Sequence, residues 1–426
     1  MRKREIAMIR IKQVFTEEYM NEQFRIALKG KRNHTNVIKF SKESLYNLEK
    51  LRKSILQNSY IPGKDYEFTI FEPKMRVVRA NHFTDKIIQG LLVNHVIQPL
   101  VEPTLIYDNY ASRKGKGTKA GLDRLSEFLN GAFINYGRDL NNIYILQCDV
   151  KKYFDNISLP ILRSKISRLN IDNQLKRLLD IELRAAHEDD KGLCLGHELS
   201  QWFAIWYLNE MDHYIKEELH IKYYGRYMDD FYLISDSREY LYKCLSDITD
   251  ILEGFGLKLN NKKSRVYNIS EGIKFLGFKF ILTNNGEVRR ILLKSSIQRM
   301  HRKIKKWYNI LINNIDTIYQ KDFILDCITS MESWRSHVIQ GTNPGIIYQM
   351  DLYFYTLFYT KLIENDICFL DYCYVKGDYE YKLNNLGKEV HKPRNKHESL
   401  WVKELYLNPP VSYDEAINIR NQIRVA

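Results

Sequence analysis

Two places in the 426-residue sequence put carboxylates where they can work together. Asp149 closes the apolar run YILQCDV, residues 144–150. An aspartate that ends a buried strand projects its carboxylate at the strand's edge, where a cleft can form. Asp229 and Asp230 lie between two strand-forming runs, KYYGRYM and FYLIS. Adjacent like charges there imply a tight turn, and their repulsion is relieved by a cation. Hard oxygen ligands from separate segments are what magnesium takes, with substrate phosphates and water completing its shell. Two such ions ~4 Å apart activate an attacking hydroxyl and stabilise a leaving pyrophosphate. That is nucleotidyl transfer, a reaction governed by positioning and electrostatics. Taken singly, a DD pair in a hairpin is usually a solvated turn, and a strand-end aspartate is usually a cap. Their surroundings decide.

The elements that must hold them follow from the hydrophobic pattern. Residues 1 to about 60 read as helices, with Leu45, Leu48, Leu51 and Ile55 at helical spacing behind a serine cap signal. YIPGKDYEFTIFEPKMRVVRANHF reads as strands joined by a turn. Helices are expected at 84–101 and 118–135, flanking the Gly- and Lys-rich loop NYASRKGKGTKA. The strand NIYILQCDV, a helix-rich stretch at 159–187, a turn at KGLCLG and a helix from Ser200 to Glu218 come next. Then follow the MDD hairpin, the helix LYKCLSDITDILEGFGL, the strand FLGFKFIL and basic amphipathic helices from Lys294 to Asn365. The mixture predicts an α+β protein.

Lys and Arg number 65 against 52 Asp and Glu, a net charge of +13, which points to a polyanionic partner. A membrane is disfavoured, because the longest apolar stretch, Ile87 to Val101, is interrupted by Gln89, Asn94, His95 and Gln98. The basic N-terminus lacks an apolar core and a cleavage site, so a cytoplasmic protein is expected. The six cysteines form no CxxC pair and no Cys/His cluster of zinc spacing, so reduced thiols are expected.

With these runs in view, the sequence resembles the reverse transcriptases. YMDDF looks like their YxDD hairpin, and CDVKKYFDNI like their first catalytic motif, with Asp149 as metal ligand. PKMRVVR (73–79) and DNYASRKGKGT (108–118) resemble the fingers motifs of bacterial enzymes. GLCLGHELSQWFAIWYLNEMD (192–212) resembles the motif that packs against nucleotide and template. GLKLNNKKS (256–264) and FLGF (275–278) resemble the later palm motif and the primer grip. The resemblance implies a right-hand polymerase fold: an N-terminal helical region (1–60), fingers (61–135), a palm with an antiparallel sheet (136–292), a helical thumb (293–365) and a C-terminal extension (366–426). It implies two Mg2+ ions, with Mn2+ as a substitute, held by Asp149, Val150, Asp229 and Asp230.

Roles follow residue by residue. Phe154 matches the aromatic that lies beneath the sugar and excludes a ribose 2′-hydroxyl; a core role is compatible with that. Lys74, Arg76 and Arg79 alternate on a strand and suit the triphosphate, Arg76 foremost, the alternative being a solvated strand face. Arg113, Lys114 and Lys116 occupy a glycine-bearing loop suited to template or triphosphate. Lys263 matches the lysine that protonates leaving pyrophosphate, though a surface lysine fits equally. The resemblance implies that Leu195, Gly196 and Gln201 line the nucleotide site, and Phe275, Leu276 and Gly277 the primer. Arg299, Arg302, Lys303, Lys305 and Lys306 resemble the thumb's phosphate-tracking face, against the plainer reading of a solvated helix.

The sequence departs from the common pattern at Cys194, Leu195 and Gln201, which replace a proline, a glutamine and a proline. The aliphatic-Gly-x3-Ser-Gln pattern resembles diversity-generating retroelement enzymes and abortive-infection relatives, and implies relaxed base selection. No endonuclease or RNase H constellation is present. The tail interleaves Tyr372, Tyr374, Tyr379, Tyr381 and Trp401 with Lys376, Lys382, Lys388, Lys392, Arg394 and Lys396, a composition that stacks bases and binds phosphates, or packs on the thumb. The expected partners are a structured non-coding RNA template, deoxynucleotides and the cDNA product, in a defence-associated setting. The rivals are a diversity-generating enzyme, an RNA-dependent RNA polymerase, which Phe154 disfavours, and a non-catalytic maturase-like scaffold, which the clustered carboxylates disfavour.

Overall fold

The computed structural model describes residues 7–363 apart from 33, 72–74, 188, 314–319 and 344, together with 380–383 and 389–392. Its principal strands are β1 (Tyr66–Ile70), β2 (Arg76–Ala80), β3 (Tyr144–Asp149), β4 (Ala185–His187), β5 (Lys191–Leu193), β6 (Tyr223–Tyr227), β7 (Asp230–Ser235), β8 (Arg265–Asn268), β9 (Ile273–Phe275), β10 (Phe278–Leu282) and β11 (Val288–Leu292). Helices surround them, so the α+β expectation holds. The chain forms two compact units, residues 1–276 with 282–287, and residues 277–281 with 288 onward.

The first unit is organised by a four-stranded sheet of order β6-β7-β3-β8, antiparallel at every pairing. The central strands are aromatic and β-branched: Phe231, Tyr232, Leu233 and Ile234 on β7, and Ile145 and Leu146 on β3, are all buried. A strand covered on both faces reads as a continuous apolar run, which is why FYLIS does not alternate. The helix Arg238–Gly254 crosses this sheet with Leu241, Cys244, Ile248 and Leu252 as its buried stripe, at steps of three and four residues. Ser237 caps it by accepting from the Tyr240 amide, and the chain leaves it through Gly256, whose φ is 70°. Each such buried aliphatic side chain contributes about 2 kcal/mol.

The hairpin β1–β2 differs. Its five register pairs run from Tyr66–Ala80 to Ile70–Arg76, yet every residue of β1 is exposed. The N-terminal helices include Ser44–Leu56, where Leu48 and Ile55 are buried while Leu45 is exposed, so the apolar stripe is narrower than its spacing suggests.

Three sequence readings change. FLGFKFIL is two strands, because Leu276 and Gly277 both take positive φ (46° and 89°) and break the run with a turn. Gly277 suits this turn because its φ of 89° is one that other residues rarely adopt, and a Cβ there would also press on the His337 ring at 2.9 Å. The stretch 159–187 ends in strand β4, and KGLCLG begins as β5, which pairs with it. The helix beginning at Glu198 breaks at Leu208 before resuming at Asn209.

In the second unit the helices Lys294–Asn313, Gln320–Val338 and Gly345–Ile363 bury Met300, Ile304, Tyr308 and Leu311 among Cys327, Met331, Phe354 and Phe358. Of the region expected as an extension, only the paired strands Glu380–Leu383 and Glu389–Lys392 are described. Tyr372, Tyr374, Tyr379, Lys376, Lys388, Arg394, Lys396 and Trp401 lie outside the described residues, as does Lys74. No helix among the described residues is long and apolar enough to cross a membrane.

Candidate active site

The register of the sheet brings the three aspartates to one corner. Asp149 on β3 stands directly opposite Asp230 on β7. Tyr227 pairs with Asp230 across β6 and β7, which leaves Met228 and Asp229 as a two-residue turn. Met228 has φ 56°, a conformation that such turns usually give to glycine. The Val150 amide donates to the Asp229 carbonyl at 3.1 Å, closing the corner from the β3 side.

A buried ion pair that the sequence reading passed over holds this turn. Arg226 is wholly buried on β6, and its Nη1 donates to the Met228 carbonyl at 3.0 Å. Its Nε and Nη2 donate to Asp212 Oδ1 and Oδ2 at 2.7 and 2.5 Å, and Nη2 also reaches the Ile205 carbonyl. Tyr224 donates its hydroxyl proton to the same aspartate. A guanidinium so satisfied is a rigid fixture. The available signal was an arginine inside an aromatic strand together with an aspartate ending an apolar helix.

Asp149 is held from a fourth segment. Lys263 Nζ donates to its Oδ1 at 2.7 Å, and Asn260 Nδ2 to its Oδ2 at 3.0 Å. The Asn260 amide also donates to the Asp149 carbonyl. Lys263 was expected to act on pyrophosphate and is here found on Asp149; Asn260 was missed, although it sits in the same GLKLNNKKS run. Burial pushes the Asp229 carboxyl above its ordinary value, and the charge of Asp149 adds to that, against Lys263 and Arg76. Asp230 is pushed up to about 7, chiefly by burial, then by its two neighbours, with a hydrogen bond from Gln147 opposing. Gln147, also missed, is fixed by donating to the Lys274 carbonyl and accepting from Tyr267. Three hard oxygen donors, two of them costly to ionise without a counter-charge, fit a divalent cation.

Residues 61–280 match the family model described as reverse transcriptase (RNA-dependent DNA polymerase). The chain belongs to the reverse transcriptase family. It is accordingly an RNA-directed DNA polymerase, a nucleotidyltransferase of right-hand polymerase fold. Protein YkfC of Escherichia coli (strain K12) is 22% identical over 326 residues, 64% of this chain and 83% of YkfC. Among solved structures, telomerase from Candida albicans in complex with a fragment of telomeric RNA is 15% identical, covering 76% of this chain and 68% of that one, with a TM-score of 0.40. Apo telomerase from Candida tropicalis is 14% identical over 76% of this chain and 64% of its own, with a TM-score of 0.44.

The other expected site residues of this reverse transcriptase divide into three groups. Arg76 is exposed on β2, and its charge acts on Asp229. Phe154 is half-buried against the core, edge-on to Tyr153 at 6.0 Å. Leu195, Gly196 and Gln201 stay near β2: the Arg79 amide donates to the Leu195 carbonyl at 2.8 Å, and a Cβ on Gly196 would meet the Arg79 carbonyl at 2.6 Å. Gly196 and Gln201 border a cavity of about 170 Å³ shared with Lys31, Asn81, Lys86, Gln89 and Glu198. Ser112 donates to Gln201, tying the Lys-rich loop to this motif.

Others are turned to structural work. Arg113 is a correction: its guanidinium points inward, donating to the Ile106 and Asn109 carbonyls and pairing with Glu102, so it shapes its loop. Lys114 is exposed, whereas Lys116 lies over the Tyr107 ring. Phe275 is also corrected: it is buried edge-on to Tyr232 at 5.1 Å, leaving Leu276 and Gly277 as the accessible part of that turn. Arg79 pairs with Glu67 and reaches Cys194 Sγ at 3.7 Å.

On the helix Lys294–Asn313, Arg302, Lys305 and Lys306 border a shallow groove with Asn309 and Asn313. Arg299 is half-buried, and Lys303 donates to Ser330. Finally, Cys194 and His197, at C-x2-H spacing, meet Asp65 with ligand atoms within 4.8 Å of one another, a grouping that the sequence reading did not pick out.

Proposed function

We propose that this reverse transcriptase copies a dedicated structured RNA into cDNA by two-metal nucleotidyl transfer, in a bacterial antiphage role. The observation that carries the chemistry is the meeting of Asp149, Asp229 and Asp230 at one sheet corner, with Lys263 on Asp149 and the Arg76 charge felt at Asp229. Asp149, Asp229 and Asp230, beside Val150, are the residues that hold Mg2+, or Mn2+ in its place. Cations held there would lower the pKa of the attacking 3′-hydroxyl and offset the negative charge that develops on the leaving pyrophosphate.

The chain's own residues do the rest. Arg76 binds and orients the triphosphate through its guanidinium fork. Phe154 excludes the 2′-hydroxyl of a ribonucleotide. Asn260 keeps Asp149 in one orientation, and Lys263 is the proton source for departing pyrophosphate. Lys114, Leu276, Gly277, Arg302, Lys305 and Lys306 contact the nucleic-acid backbone, with the helical second unit as thumb. The defence role and the non-coding RNA rest on the likeness of the sequence motifs to stand-alone bacterial enzymes and on the basic, aromatic C-terminal sequence.

A second reading has its own observation. The Leu195-Gly196-x3-Ser200-Gln201 run places a half-buried aliphatic residue and no polar head at position 195, which supports error-prone synthesis of the diversity-generating kind. The test is sequencing of nucleic acid that co-purifies with the wild type and with an Asp229→Ala, Asp230→Ala variant, in cells carrying the native flanking DNA. DNA complementary to one structured RNA, present with the wild type alone, supports the first reading and names the template. Frequent substitutions in that DNA favour the second. Equal RNA in both samples with no cDNA, phage infection included, overturns both in favour of a scaffold.

A further inference from the structure

A second polar centre lies at the root of the fingers hairpin, apart from the catalytic corner. Asp85 and Glu182 are buried, and the Tyr60 hydroxyl bridges them at 2.7 and 2.8 Å. Arg184 spans the group, with Nη2 on Asp85 Oδ2 at 2.7 Å and Nη1 on Asp65 Oδ1 at 3.0 Å. Three carboxylates thus gather around one guanidinium, and buried charge of one sign demands an opposite charge. In the same place three buried polar atoms make no hydrogen bond: His197 Nε2, Gln89 Oε1 and Arg184 Nε. His197 is 1% exposed, and its Nε2 lies 3.1 Å from Asp65 Oδ2 without the alignment of a hydrogen bond. Gln89 Oε1 and His197 Nε2 can each meet a water or a cation, whereas Arg184 Nε, a donor, needs an acceptor such as water.

The His197 ring is held at Nδ1 by Gln89 Nε2 at 3.4 Å, and the groups nearest its Nε2 are chemically specific. Asp65 Oδ1 is occupied by Arg184, but Oδ2 faces His197. Cys194 Sγ completes a set whose atoms all lie within 4.8 Å of one another. Tetrahedral zinc sites need ligand atoms ~3.5 Å apart, a small contraction from that limit. Thiolate, imidazole and carboxylate together suit zinc and exclude magnesium. Burial pushes the Cys194 thiol up, and Arg79, 3.7 Å from the sulfur, opposes that, so the thiolate form needs the cation itself.

We propose that Asp65, Cys194 and His197 bind one Zn2+, with water in the fourth position. Binding replaces the Cys194 S–H bond by a metal–sulfur bond and releases the proton to solvent. The ion joins the residue before β1 to the loop 194–197, whose Leu195 carbonyl is already held by Arg79. It therefore ties the strand β1 to the loop that carries Leu195 and Gly196. This site is independent of the polymerase reading and of the catalytic cations.

The full chain, purified without chelator, is assayed for zinc by plasma mass spectrometry. One zinc per chain is expected in the wild type and in Asp229→Asn, Asp230→Asn, and loss of zinc in Cys194→Ser and His197→Asn. Replacing zinc by Co2+ in the wild type should give the visible bands of tetrahedral cobalt and a thiolate charge-transfer band, which Cys194→Ser abolishes. Wild-type protein without stoichiometric zinc that also gives no such cobalt bands overturns the proposal, as does a charge-transfer band that survives Cys194→Ser. Should the variants fail to fold, the wild-type cobalt spectrum decides alone.

Discussion

The catalytic corner and the fingers hairpin are both two-stranded turns, but they are held by opposite means. The β6–β7 turn is fixed by a buried arginine, a neighbouring strand in register and a lysine–asparagine pair on Asp149. The β1–β2 hairpin has its own ladder, an exposed first strand and the exposed apolar side chains Tyr66, Phe71 and Met75. The corner is held by buried contacts, whereas the hairpin that carries Arg76 leaves apolar side chains exposed. On the proposed function the contrast sets a rigid part that gathers charge beside an exposed part that meets the nucleotide.

Breaking the corner chemically should have the largest effect. Asp229→Ala should lower the single-turnover incorporation rate by on the order of 10³-fold or more, with the thermal midpoint nearly unchanged. Breaking it mechanically comes next. Asp212→Asn leaves the buried Arg226 guanidinium short of a counter-charge and should cost about 3–5 kcal/mol in denaturant unfolding, whereas Arg76→Ala should leave unfolding unchanged.

The pH dependence sharpens the same contrast. Asp230, raised from 3.8 to about 7, binds its proton more tightly folded than unfolded. The metal-free protein should therefore lose stability as pH rises from about 4 through about 7, and Mg2+ should restore it above that range. Thermal melts across pH check this, and Asp230→Asn should flatten the profile. The smallest effect belongs to the hairpin: Arg76→Ala should raise KM for deoxynucleotides by roughly tenfold with little change in kcat, as loss of ground-state binding requires. A fall in kcat alone would place Arg76 in the rigid part instead.

The sequence showed most of the palm because its signals are local. Asp149 at the end of an apolar run and Asp229–Asp230 between two such runs declare strand ends, and the register that joins them follows from the buried faces. It showed less where one residue's role depends on a distant partner. Arg113 and a template-binding arginine look alike in sequence, and only the nearby Ile106 and Asn109 carbonyls turn the side chain inward. Phe275 reads as a primer contact until Tyr232 covers it. Arg226 and Asp212 are fourteen residues apart, and nothing local says that they pair. The Asp65–Cys194–His197 group was invisible because one ligand comes from the far end of the fingers sequence.

The pairing of Asp149 with Asp230 also limits how the gene can change in length. Side chains alternate faces along a strand, so one residue inserted within β3 or β7 would carry a carboxylate to the wrong side of the sheet. Between the strands no such parity applies, and loops there can lengthen or shrink while the two aspartates still meet. Insertions and deletions among natural variants should accordingly crowd into the connecting segments and be missing from these two short stretches.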